Sequence, residues 1–232
     1  MKRFSLIVLA IVMLFAFTAC KESTSDVVTT NKDNDEFDFT DIMVGDLVNN
    51  SEKIDANATY YAYIGIEEYG AITIKLDQSQ APITVQNFVD LATSGFYNGL
   101  TFHRIMEGFM MQGGDPNGNG TGGSNKNIVG EFKANGYNNT ISHVRGVVSM
   151  ARAGYSYDSA SSQFFIMHED YTGLDGQDAA FGYVTVGMNV VDKVCTTVKP
   201  IDNNGTIPSY AQPVINKIVI SKVVEATADT AA

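Results

Sequence analysis

A short stretch of the chain, residues 101–115, brings together residue types that could carry out chemistry. Arg104 is a permanent cation that offers a planar fork of hydrogen-bond donors. After a polar turn come the apolar residues Phe109 and Met110, then the amide of Gln112 and two glycines that leave the backbone uncovered. A dry, apolar setting strengthens a guanidinium donor, so this stretch could stabilise electron density that develops on a bound molecule.

Other reaction chemistries find little support in the sequence. The histidines stand at positions 103, 143 and 168, with no helix-spaced pair among them, which does not favour a zinc site. The glycine-rich run at 120–123 lacks the Gly-Lys-Ser/Thr ending of a phosphate-binding loop, and Gly-x-Ser-x-Gly is absent from the sequence. We therefore predict that the site uses no metal and no cofactor.

Three sequence blocks carry a family resemblance. They are residues 102–115, then 147–153 with 159–166, and finally 174–176 with 181–182. One such block could arise by chance, whereas three blocks in family order and spacing are a specific signal. Over roughly residues 59–224 the chain resembles the cyclophilin family of peptidyl-prolyl cis-trans isomerases.

The resemblance implies both a reaction and a mechanism. Partial double-bond character gives the X-Pro peptide bond a rotation barrier of about 18–20 kcal/mol. When the amide twists, the prolyl nitrogen regains its lone pair, and an arginine N–H can donate to that nitrogen. Because this hydrogen bond exists only in the twisted state, it lowers the barrier rather than merely binding the substrate.

Residue roles follow from the resemblance position by position. Arg104 matches the catalytic arginine, and Gln112 matches the amide that orients the arginine and binds substrate backbone. The expected substrate-binding residues are His103, Phe109, Met110, Ala151, Gln163, Phe165 and Leu174. Neighbours on a strand point to opposite faces, so one of the two adjacent phenylalanines is expected in the core, and the resemblance assigns that place to Phe164. An alternative role for Arg104 is that of a surface or salt-bridge arginine.

Three positions depart from the family pattern. Arg152 replaces an asparagine common in the family, which could alter sequence preference through a new cation. Gly173 and Asp178 replace a tryptophan and a histidine found in several members, and they are expected to open one rim of the pocket. The altered rim suggests one alternative function, a proline-peptide-binding chaperone without turnover. A second alternative is an envelope scaffold whose partner binds the acidic leader.

The hydrophobic pattern favours a mainly β fold with two helices. Period-two alternation predicts strands, and a period of 3.6 after Pro82 predicts a helix. Strands are expected at 59–66, 71–76, 101–105, 128–132, 146–151, 163–167, 181–186 and 213–224, and a second helix at 188–195. The pattern alone fits either a barrel or a sandwich. The resemblance implies a closed eight-stranded antiparallel β-barrel capped by two α-helices.

The N-terminus has the features of an export signal. Two basic residues precede the apolar run at residues 4–17, which is shorter than the ~20 residues that span a bilayer. Small residues then lead to Cys20, so residues 1–19 resemble a bacterial lipoprotein signal with Cys20 as the lipidation site. An ordinary signal peptide is the alternative. We expect a lipid-anchored protein of the bacterial envelope, with its domain in the periplasm or at the cell surface.

Charge is unevenly distributed along the 232 residues. The formal net charge is −11, which argues against nucleic acid as a partner. Residues 21–58 hold ten acidic and three basic side chains, so 20–58 is interpreted as an acidic flexible tether. A docked segment or short helix within 37–47 is the alternative. The isomerase domain is expected at 59–224, a tail at 225–232, and the protein as a monomer that binds proline-containing polypeptides.

Overall fold

The computed structural model describes residues 37–224. The predicted signal segment, the lipidation site at Cys20, the first part of the tether and the tail at 225–232 lie outside the described residues and stay predictions. Within residues 37–224, no helix is long and apolar enough to cross a membrane.

Antiparallel strands dominate the described part of the chain. The nine strands there are β1 (Asp46–Leu47), β2 (Ala58–Ile66), β3 (Gly70–Leu76), β4 (Thr101–Met106), β5 (Met110–Asp115), β6 (Val147–Met150), β7 (Phe164–Met167), β8 (Ala180–Val186) and β9 (Ile215–Val224). Their order in one sheet is β1-β9-β2-β3-β8-β6-β7-β5-β4. The helices are α1 (Pro82–Thr93) and α2 (Met188–Thr197).

The two ends of this sheet approach each other. Thr101, the first residue of β4, forms an isolated bridge with Val214, directly before β9. The Phe102 amide donates to the Pro213 carbonyl at 2.9 Å. The mainly β, antiparallel fold with two helices is confirmed. The sheet differs from the expectation in two unpredicted strands, β1 and β5. In addition, a bridge replaces a continuous ladder where the ends meet.

The strand expected at residues 128–132 does not form. Ile128 makes only an isolated bridge with Ala160. At Gly130 an added Cβ would collide with the Phe132 ring and with the Tyr157 carbonyl oxygen. The backbone passes too close to its neighbours there for a regular strand with side chains on both faces.

Helix α1 begins at Pro82, as predicted, but a distant residue satisfies its first turn. The buried Glu131 carboxylate accepts the Ile83 amide at 3.1 Å and the Thr84 amide at 2.7 Å. It also accepts the Thr84 hydroxyl at 2.7 Å. These amides have no partner inside the helix, and a negative charge at the helix N-terminus is favourable.

The segment before β2 packs on the barrel instead of remaining a tether throughout. Phe37 and Phe39 are buried against Tyr63 and Ala71, on the face of β2 and β3 that points away from the main core. The Val44 amide donates to the Tyr63 hydroxyl at 2.8 Å. The docked alternative therefore describes residues 37–48 better than the flexible tether does.

The sheet is shaped to receive this segment. An added Cβ on Gly65 would lie 2.6 Å from the Phe37 ring, so the glycine leaves the space that the ring fills. Gly45, at φ +77°, lies directly over the Lys222 carbonyl. Both close approaches require a residue without a side chain.

Candidate active site

An apolar cluster separate from the main core covers one outer part of the barrel wall. Its buried members are Met110, Val147, Phe165, Met167 and Ala180, and its partly buried members are Met106, Phe109, Ile141, Ala151 and Leu174. Adjacent residues of a strand point to opposite faces, and Phe164 accordingly lies in the main core while Phe165 lies in this outer cluster. Because β5 and β7 are paired, Met110 and Phe165 are brought together.

Arg104 borders this cluster from β4. Its Nη1 donates to Gln112 Oε1 at 3.2 Å, and its Nε donates to the Asn204 carbonyl at 2.7 Å. The guanidinium carbon is 5.9 Å from the centre of the Phe109 ring, and Nη1 is 4.0 Å from the Met110 sulfur. The head group is thus fixed on one side and faces apolar atoms on the other.

Hydrogen-bonded side-chain amides continue from Arg104 along a surface groove, which is formed by the outer apolar cluster and the adjoining residues 120–123, 151–153 and 163. Gln112 Nε2 donates to Gln163 Oε1 at 2.9 Å, and Gln163 Nε2 donates to the Gly122 carbonyl at 2.7 Å. The Ala151 amide donates to the Gln163 carbonyl at 2.9 Å. These residues also line a cavity of about 440 Å³ between the glycine-rich loop and the loop after β6.

Burial also acts on the charge of Arg104. It lowers the pKa of the guanidinium below its ordinary value, while the nearby carboxylate of Asp202 acts in the opposite direction. The guanidinium remains charged at neutral pH and is a better donor for being partly desolvated. Within residues 37–224, no group of three or more histidines, cysteines and acids could hold a metal ion.

The structure places His103 apart from the other predicted site residues. Its side chain is buried, beside Gly120 of the glycine-rich loop, and lines neither the outer apolar cluster nor the cavity. Neither ring nitrogen has a hydrogen-bond partner in the described structure. Burial lowers the pKa of His103, with Asp115 acting in the opposite direction. A neutral imidazole supporting the loop fits this position better than a substrate contact does.

The sequence did not indicate that the buried His143 supports the Phe165 ring. The His143 ring stacks on Phe165 with centroids 6.0 Å apart and planes 20° apart. One ring nitrogen of His143 is 3.1 Å from Ser149 Oγ, and the other is 3.1 Å from Asp175 Oδ1. His143 and Ser149 are fully buried, so this Ser-His-Asp arrangement supports the Phe165 ring and offers no accessible nucleophile. Only the strand register, which pairs Ser149 with Phe165, could have suggested it.

The rim around Gly173 is less open than the sequence suggested. Tyr171 packs edge-on against Phe109 with ring centroids 5.0 Å apart. An added Cβ on Gly173 would lie 3.0 Å from the Tyr171 ring. Tyr171 therefore supplies an aromatic ring next to Gly173, the position where several family members carry a tryptophan.

The other two departures from the family pattern contact each other. The Nε atom of Arg152 lies 3.3 Å from the Asp178 carboxylate, and both side chains are largely buried. The guanidinium also lies over the rings of Phe132 and Tyr157, at 5.3 and 5.1 Å from their centres. Arg152 is thus held among its neighbours and does not add a free cation to the groove.

The fold and the site together define a class of protein, an antiparallel barrel with an arginine–glutamine pair beside an apolar pocket on its outer wall. A family model described as cyclophilin type peptidyl-prolyl cis-trans isomerase matches residues 61–224. The chain therefore belongs to this family, and its reaction is rotation about the X-Pro peptide bond.

Named relatives agree with the family match. The chain is 45% identical over 138 residues to a peptidyl-prolyl cis-trans isomerase of Helicobacter pylori, which covers 59% of this chain and 80% of that protein. It is 45% identical over 126 residues to peptidyl-prolyl cis-trans isomerase B of Bacillus subtilis, covering 54% and 84% respectively.

Solved structures agree as well. A cyclophilin type peptidyl-prolyl cis-trans isomerase of Cryptosporidium parvum is similar with a TM-score of 0.61 and 29% identity, covering 70% of this chain and 97% of that one. A second structure of that protein, determined in the presence of the dipeptide Ala-Pro, has a TM-score of 0.60 and 30% identity and covers 69% and 98%.

Proposed function

We propose that Arg104 is the catalytic residue of this isomerase and that its clients are unfolded or folding proteins exported from the cytoplasm. The observation that carries the first part is the contact of Arg104 with Gln112 beside the outer apolar cluster. In this arrangement Phe109, Met110 and Phe165 hold the proline ring.

Three further predicted residues bind the peptide around the proline. Leu174 completes the apolar rim, while Ala151 and Gln163 bind the backbone of the client along the groove. A similar protein from Cryptosporidium parvum was solved in the presence of the dipeptide Ala-Pro, which supports a proline-containing peptide as the ligand. Since rotation breaks no covalent bond, the residues only have to stabilise the twisted amide.

The donor to that amide is a terminal N–H of Arg104 that is not bound to Gln112 or Asn204 and that lies beside the weakly accepting sulfurs of Met106 and Met110. Gln112 and Asn204 fix its direction, so little reorganisation is needed as the prolyl nitrogen becomes pyramidal. The surrounding apolar side chains exclude water and strengthen the hydrogen bond. The gain is specific to the transition state, as catalysis requires.

The mechanism is tested by isomerisation of a proline peptide with wild-type protein and Arg104→Ala. We expect kcat/KM to fall by roughly 100-fold or more, the usual effect of removing one transition-state donor. Lys126→Ala, which removes an exposed positive charge elsewhere, is the matched control. An unchanged rate in Arg104→Ala would refute the mechanism.

Exchange spectroscopy by NMR separates catalysis from binding. Peptide binding by the wild type without faster exchange between cis and trans peaks would support the alternative, a binding chaperone without turnover. Pull-down from cells with and without residues 21–36 would test the scaffold alternative, which requires partners that depend on this acidic segment.

The envelope location rests on the sequence of residues 1–20. An isomerase has use there, because uncatalysed X-Pro rotation takes tens to hundreds of seconds. Membrane fractionation of cells that produce the full chain or Cys20→Ser tests the anchor. Loss of membrane association in Cys20→Ser is expected, and equal membrane fractions would refute lipidation at Cys20.

A further inference from the structure

Arg152 and Asp178 connect two loops that border the groove. Arg152 follows β6, and Asp178 precedes β8. Their side chains are only 12% and 14% exposed, and Arg152 Nε lies 3.3 Å from Asp178 Oδ1. The same Nε donates to the Gln177 carbonyl at 3.0 Å. A pair this buried differs from a surface ion pair, since removal of one partner leaves a desolvated charge without compensation.

The guanidinium has little freedom to leave this position. Its flat faces lie against Phe132 and Tyr157, and Nη1 donates to the Ala153 carbonyl at 3.3 Å. Phe132 and Tyr157 in turn contact each other edge-on, with centroids 5.3 Å apart. Arg152 is therefore fixed by contacts from three segments of the chain and serves as a rigid link.

Arg152 and Asp178 are each close in sequence to a residue of the groove, Ala151 and Leu174 respectively. On one side, Ala151 adjoins Arg152 and is paired with Gln163 through its amide. On the other side, the Gln177 amide donates to the Leu174 carbonyl at 3.0 Å. The Gln177 side chain also donates to the Gly173 carbonyl at 3.2 Å, so residues 173–178 form one braced turn.

We propose that the Arg152–Asp178 pair is a positioning clamp that sets the separation between Ala151 and the Leu174 rim. The clamp determines how tightly a proline-containing peptide is held, and neither residue takes part in the chemical step. This inference rests on the proposed function of the groove. It explains why two departures from the family pattern occur together, because either charge alone would be buried without a partner.

The test measures kcat and KM for a proline peptide with Asp178→Asn, Arg152→Lys and the double variant. Each single variant keeps a polar side chain but weakens the paired contact. We expect KM to rise roughly fivefold and kcat to change little, a size typical of residues that act through others. Asp90→Asn, an equal charge change at an exposed position of α1, is the control and should leave both constants unchanged.

The double variant decides whether the two residues act as a unit. A clamp predicts that KM in the double variant is no higher than in the weaker-binding single variant. Unchanged KM in both single variants, or effects that multiply in the double variant, would overturn the proposal. If Asp178→Asn does not fold, Arg152→Lys, which retains the positive charge, decides by itself.

Peptide affinity from NMR titration keeps the clamp testable apart from catalysis. A wild-type protein that binds peptide without turnover would refute the proposed catalytic mechanism. The clamp would still predict a dissociation constant roughly fivefold higher in Arg152→Lys. Equal dissociation constants would refute the clamp while leaving the mechanism untouched.

Discussion

Arg104 and Gln112 are directly opposed residues of β4 and β5, and a hydrogen bond of 3.2 Å joins their side chains. The orientation of the Gln112 amide follows from the Gly122 carbonyl, to which Gln112 is linked through Gln163. The Gly122 carbonyl can only accept, so Gln163 must present its NH₂ group there and its oxygen to Gln112. Gln112 then turns its own oxygen toward Arg104.

The first prediction concerns this chain of amides. Gln163→Leu should reduce kcat/KM roughly fivefold even though Gln163 does not contact Arg104, because the orientation of Gln112 is no longer fixed. The estimate corresponds to loss of one hydrogen bond worth about 1 kcal/mol. Gln112→Leu should reduce kcat/KM by at least as much. A Gln163→Leu enzyme with wild-type kcat/KM and an unchanged thermal midpoint would contradict this account.

A second prediction concerns the docking of Phe37 on Gly65. Phe37→Ala should lower the free energy of unfolding by about 3 kcal/mol, the usual loss for a buried phenylalanine. Gly65→Ala should cost about 1–3 kcal/mol in the wild type through overpacking. The same substitution should be far milder in Phe37→Ala, where the ring that clashes is absent.

Denaturant unfolding of both single variants and the double variant measures this coupling. Leu47→Ala, which truncates an exposed side chain of β1, is the control and should have little effect. Additive effects of Phe37→Ala and Gly65→Ala would show that residue 37 does not occupy the space above Gly65 in solution.

The third prediction is a loss of stability in mild acid. Burial lowers the pKa values of His103 and His143 below their ordinary value of 6.5. The unfolded chain therefore binds more protons than the native one in the window just below pH 6.5. Stability from these residues is complete above pH 6.5 and is lost as the pH falls through that window.

Denaturant midpoints between pH 8 and pH 5.5 test this sign. His143→Gln should show a smaller dependence on pH than the wild type. Burial raises the pKa of Asp178 above 3.8, so the stability that this residue contributes is lost as the pH rises, opposite to the effect of the histidines. The series is therefore repeated in an Asp178→Asn background. A midpoint that rises on acidification in that background would contradict the prediction.

The fourth prediction concerns the thiol of Cys195. The side chain is buried on α2, and burial raises its pKa to about 12. Since the thiolate is the reactive form, Cys195 should not react with a thiol reagent in the native protein at pH 8. In Cys20→Ser protein, one equivalent should react only after denaturant is added. Rapid reaction without denaturant would place Cys195 at the surface.

Local patterns were enough to predict much of the fold. The two helices and most strands follow from periodicity, because a period of two or 3.6 reports which side of an element is buried. The same alternation separated Phe164 from Phe165. The wrong strand at 128–132 shows the limit of this method, since close backbone approach at Gly130 depends on Tyr157, a residue remote in sequence.

Family motifs in the sequence pointed to most of the residues that the structure brings together, including Arg104, Gln112, Met110 and Phe165. They did not place His103 away from the groove, nor did they reveal Tyr171 beside Phe109 or the support of Phe165 by His143. These relationships depend on side-chain direction across paired strands and on loop paths, which residue spacing does not specify.

By itself the sequence determined most of the elements, the reaction family and the residue types at the site, because those are local properties of the chain or of short motifs. Only the tertiary structure decided that Glu131 satisfies the first turn of α1, that Phe37 fills the space over Gly65, and that Arg152 pairs with Asp178. Each of these contacts joins segments far apart in sequence. Their partners are set when the sheet curves and its loops pack, whereas Arg104 and Gln112 meet through local pairing of the neighbouring strands β4 and β5.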